Sequence, residues 1–87
     1  MAFTVQYAVY GALAGGNENN MQANNVTTAL QNQLNSNPNG VVAINNTTMG
    51  GDPSPNNLKH FGAMVVVPGQ TQASPFACQE GQTIDFS

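Results

Sequence analysis

The chain has 87 residues and a formal net charge of −3, with a single basic residue, Lys59, one histidine and four acids. That length makes one domain, spanning residues 1–87, with a thin core. One Lys and no Arg argue against nucleic-acid and anionic-membrane partners, whose binding draws its affinity from cations facing phosphates. Only 6% of the residues are charged, so 13 Asn and 8 Gln carry the polar surface instead, against a usual charged share of about 25%.

In chain order, residues 3–10, "FTVQYAVY", alternate between Phe3, Val5, Tyr7, Val9 and Thr4, Gln6, Ala8, Tyr10. That period of two, in aromatic and β-branched types, predicts a strand. Gly15 and Gly16 end it. Between Asn20 and Ser36 the apolar residues Met21, Val26, Ala29, Leu30 and Leu34 recur every three to five positions, which predicts a helix with Asn19 or Asn20 as its N-cap. Asn and Thr are mediocre helix formers, so packing of the apolar face has to stabilise it. Pro38, Asn39 and Gly40 stop the helix.

Residues 41–48, "VVAINNTT", predict a strand that fades into polar residues, and "MGGDPSPNN", 49–57, predicts a loop. Residues 60–67 are apolar on both parities. Phe61, Ala63, Val65 and Val67 form one row and His60, Gly62, Met64 and Val66 the other, the mark of a strand covered on both faces. A second loop, 68–75, leads to "FACQEGQTIDFS". There the shared parity of Phe76, Cys78, Ile84 and Phe86 favours one strand kinked at Gly81 over a hairpin turning at Glu80–Gly81.

These elements predict a small α+β domain in β-α-β-β-β order, with one helix on one face of a four-stranded, mostly antiparallel sheet. A right-handed first crossover is expected to lead into a meander of the last three strands. The order resembles ferredoxin-like half-folds, an architectural likeness that implies no function. One helix covers one face of such a sheet, yet the strand at 60–67 is oily on both. A second molecule resolves that mismatch, through an interaction face built on Met64, Val66 and Tyr10. The expected partner is a second copy, as a dimer, or another protein, meeting this chain face to face or by strand addition at a sheet edge.

Few residues carry chemical potential. Cys78, His60 and one of Asp52, Glu80 or Asp85 have the types needed for an activated thiol, and the last strands bring Cys78 and His60 toward one sheet edge. The plainer reading of Cys78 is a small buried hydrophobe beside Phe76, and no local signature of a cysteine enzyme surrounds it. For a metal, His60, Cys78, Glu80 and Asp52 offer only Cys78-x-Glu80 as a close pair, too little for a zinc site. "GALAGG" lacks the spacing of a phosphate or dinucleotide loop, so no cofactor is expected. Lys59 is expected as an exposed residue guarding a strand end. A carbohydrate-binding surface drawn from Asn45, Asn46, Asn56, Asn57 and the two tyrosines is the alternative to surface wetting by the same amides.

No apolar run reaches the ~18 residues of a membrane span, and the N-terminus lacks the basic start of a signal peptide. The expectation is a cytoplasmic protein with a reduced Cys78, leaderless export remaining open. It is expected to act by association rather than catalysis.

Overall fold

The computed structural model describes residues 2–87. Strand β1, Thr4–Leu13, is the backbone of the fold. A short 3-10 turn at Ala14–Gly16 reverses the chain into strand β2, Met21–Asn25, which pairs antiparallel with β1. Helix α1, Thr27–Ser36, follows at once, then strand β3, Val41–Ala43. After a long irregular stretch come strand β4, His60–Val66, strand β5, Ser74–Gln79, and strand β6, Thr83–Asp85. The main sheet is antiparallel throughout, in the order β2-β1-β4-β5, while β3 and β6 form a separate two-stranded ribbon. One helix on one face of a four-stranded antiparallel sheet in a single small domain is the α+β class read from the sequence.

The strands that fill the sheet are not those expected. Residues 21–25 pair with β1 instead of opening the helix, and residues 41–43 join the ribbon. The first connection is therefore a hairpin rather than a right-handed crossover. The switch from strand to helix at residues 25–27 is a hydrogen-bond exchange. Val26 N–H donates to Ala8 O at 2.9 Å, but Val26 O accepts from Leu30 N–H at 2.8 Å in the first turn of α1. The Thr27 hydroxyl takes its place in the sheet, accepting from Ala8 N–H at 3.0 Å. Further along, where β2 has ended, the Gln31 side chain stands in for a strand. Its Oε1 accepts from Val5 N–H at 2.8 Å and its Nε2 donates to Phe3 O at 2.9 Å.

The β1–β4 register slips between Val5 and Tyr7, a β-bulge at Gln6. A bulge moves the later side chains to the other face. Phe3 and Val5 point into the core, but from there Ala8 and Tyr10 are the buried residues and Tyr7 faces outward. Tyr10 is fully buried, and its hydroxyl donates to Asn46 Oδ1 at 2.7 Å. Its expected place on an interaction face is thereby corrected: the bulge inverts the parity on which that expectation rested.

The core lies between one face of the main sheet and a lid made of α1 and the ribbon. Leu30 and Leu34 of α1, Val42 and Ile44, and Met49 close over Val5, Ala8, Tyr10, Phe61, Ala63 and Val65. Phe86 completes the lid, meeting Phe76 at 4.6 Å between ring centroids and Phe61 edge-on at 6.5 Å. The C-terminal segment is neither one strand nor a hairpin. Gly81, at φ +90°, turns the chain out of the main sheet and into the ribbon, a conformation that glycine adopts without a Cβ clash.

Candidate functional site

Two places in the fold combine unusual residues. The first is Lys59, the residue before β4. It is only 3% exposed, which corrects the expectation of a solvated lysine. Its ammonium lies 2.9 Å from Asp52 Oδ1 and 3.2 Å from Glu80 Oε1, and donates to Ser54 O at 3.2 Å. All three ammonium donors are thus used. The lysine is drawn inward because Glu80 faces it across the β4–β5 ladder: Glu80 N–H donates to Lys59 O at 2.9 Å, and Lys59 N–H to Glu80 Oε1 at 3.0 Å. Ser54, also fully buried, donates from its hydroxyl to Gln22 Oε1 at 2.8 Å and accepts from Asn57 Nδ2 at 2.9 Å.

The hydrogen bond and charge of Lys59 hold the Asp52 carboxyl below its ordinary value, and Asp52 holds the Lys59 ammonium above its own. A lysine fixed in its charged form is neither a nucleophile nor a base. The cluster is a clasp that ties the 52–57 loop to β2, β4 and the end of β5.

The second place is the face of the main sheet that α1 and the ribbon leave open. Across β1 and β4, Tyr7 stands opposite Met64, Val9 opposite Gly62 and Gly11 opposite His60. On the flanks, Leu13 pairs with Met21, Gly11 with Ala23, Gly62 with Ala77 and Met64 with Pro75. Tyr7 is 51% exposed, Met21 68%, and Leu13 and Met64 39% each. Val66 is half-buried. None of the four strands that form this face contains a Lys, Arg, Asp or Glu. A hollow of about 400 Å³ opens in it over Gly11, Gly62 and Ala23, walled by Leu13, Met21 and His60.

The remaining candidates are dispersed by the strand pleat. Cys78 stands opposite Phe61, and so shares the core side, half-buried. His60 is one residue on, so its exposed side chain leaves from the opposite face. The two cannot meet through the sheet, and burial pushes the Cys78 thiol up, away from an activated thiolate. Glu80 belongs to Lys59. Among the described residues no three His, Cys, Asp or Glu side chains gather as a metal would require.

Three of the four loop amides singled out for sugar binding already have partners within the fold. Asn45 Oδ1 accepts from Thr48 N–H, Asn46 Oδ1 from Tyr10, and Asn57 Oδ1 from Gly15 N–H. No described helix is long and apolar enough to cross a membrane.

Compared with protein-family models, with curated proteins and with solved structures, the chain matches none.

Proposed function

We propose that this protein is a small non-catalytic association module whose working surface is the open face of the main sheet, and that its partner is a second copy. The observation that carries the reading is the row of exposed apolar side chains, Tyr7, Met64, Leu13 and Met21, on a face with no charge. Burial of such a row is favourable wherever a complementary apolar surface is offered, at roughly 25 cal/mol per Å². A face without charge gives no electrostatic means of selecting a differently charged partner, whereas it places no like charges opposite one another when two copies meet.

The size of the face sets the strength. Four strands about 4.8 Å apart and about seven residues at about 3.3 Å each outline roughly 19 by 23 Å, on the order of 450 Å² per copy. Two such faces reach the lower edge of specific interfaces, about 1,200 Å² in total, only when side-chain relief is added. The expected dimer is reversible, with Kd on the order of micromolar. Size-exclusion chromatography with light scattering tests this: the mass should rise from that of one chain to two as concentration passes through the micromolar range. Met64→Glu, which sets a carboxylate in the middle of the face, should hold the protein at one chain. A mass of one chain at millimolar concentration contradicts the proposal.

A further inference from the structure

The open face is uneven, and its relief is self-complementary. At one end of β1 the Tyr7 and Met64 side chains stand side by side as a raised pair. Further along, the floor drops: Gly62 on β4 stands opposite Val9, two residues on, and Gly11 lies four residues on in β1, about 13 Å from Tyr7 at about 3.3 Å per residue, with Ala23 beside it. Neither the outward Tyr7 nor the glycine at position 62 is a necessary product of the fold. A strand that kept the alternation of Phe3 and Val5 would have turned Tyr7 inward; the bulge at Gln6 instead turns a large aromatic residue toward solvent. Gly11 has a structural reason to be small, since a Cβ there would lie 2.4 Å from Ala23 Cα. Gly62 has none: the nearest atoms to a Cβ at that position are 4.0 Å away, at Phe76 O and Val9 Cγ1.

From this relief, and resting on the association reading above, we infer that two copies pack face to face about a two-fold axis crossing β1 at Val9, with Tyr7 of each copy seated in the other's Gly11–Gly62 hollow. An axis lying between the faces and across the strands reverses strand direction and exchanges the two ends of β1, so one contact generates the other. The hollow, at about 400 Å³, has room for the tyrosine ring. Buried aromatic anchors of this kind dominate binding at the centres of interfaces. Sheets stacked in this way sit about 10 Å apart, a gap that the side chains of both faces fill.

Sedimentation equilibrium on the full chain and three variants tests the register, with Met64→Glu as the control for the face as a whole. Tyr7→Ser removes the raised side chain; Gly62→Val fills the hollow from a position whose Cβ meets nothing nearer than 4.0 Å. Each is expected to weaken dimerisation at least tenfold while the circular dichroism spectrum and Tm stay those of a folded chain. The double variant Tyr7→Ala/Gly62→Val, with a smaller projection for a shallower hollow, is expected to dimerise more tightly than Gly62→Val alone. If Gly62→Val fails to fold, Tyr7→Ser alone decides. A wild-type dimer that Met64→Glu disrupts but Tyr7→Ser and Gly62→Val leave intact overturns this register and spares the association reading. A wild-type chain that stays monomeric overturns both and leaves the face to a different protein.

Discussion

Lys59 shows how much one side chain does in a chain with so few charges. Because its ammonium serves Asp52, Glu80 and the Ser54 carbonyl together, Lys59→Met removes all three ammonium contacts at once and leaves two carboxylates close together without their cation. The expected result is a fall in Tm of several degrees, measured by thermal denaturation near pH 7. The pH dependence follows from the directions of the shifts. The lowered Asp52 carboxyl contributes stability that is present above its unfolded value, about 3.9, and is lost as pH falls through the native value. The raised Lys59 ammonium contributes stability that is present below its unfolded value, about 10.4, and is lost as pH rises through the native value. Wild type and Lys59→Met should therefore differ most between about pH 5 and 9 and converge toward pH 2. A constant difference down to pH 2 would show that the clasp is not ionic. Lone lysines are usually solvated, so nothing local in "NNLKHF" announces this burial. The one hint is scarcity, since the only cation has an acid in the preceding loop and another where the next strand ends.

At the scale of elements, amide side chains do more than wet the surface. Gln31 completes the edge of β1 that β2 is too short to reach, satisfying both Val5 N–H and Phe3 O. Gln31→Ala leaves those two groups without a protein partner, and the expected cost is about 1–3 kcal/mol in chemical denaturation. Faster hydrogen exchange at the Val5 amide should accompany it, and unchanged exchange there would dismiss the strand-mimic role. The same elements mark where sequence patterning carries and where it fails. The burial of Phe61, Ala63 and Val65 and the exposure of Met64 follow the alternation of residues 60–67, because that strand is regular. The bulge at Gln6 leaves no trace in composition, since "FTVQYAVY" alternates cleanly through it. The segment Met21–Asn25 contains no β-branched residue and its methionine fits helical spacing; it becomes a strand because the hairpin delivers it to the free edge of β1. Residues 41–43 satisfy strand propensity equally well in either sheet, and propensity does not choose between them.

At the scale of the whole molecule, the imbalance legible in the sequence is present in the fold: among the described residues α1, the ribbon and Phe86 cover one face of the main sheet, and none covers the other, where Tyr7, Met21, Leu13 and Met64 stay exposed. What the sequence did not carry was the relief of that face, because the positions of Tyr7 and the glycine hollow depend on the bulge and on the β1–β4 register. The central claim is that a second copy covers this face. A dilution series followed by amide chemical shifts tests it most directly, since it reports association and location together. The account predicts concentration-dependent shifts centred on Tyr7, Val9, Gly11, Gly62 and Met64, with the amides of α1 unmoved. Spectra that do not change from micromolar to millimolar concentration, or shifts that gather on α1 or the β3–β6 ribbon, would contradict it.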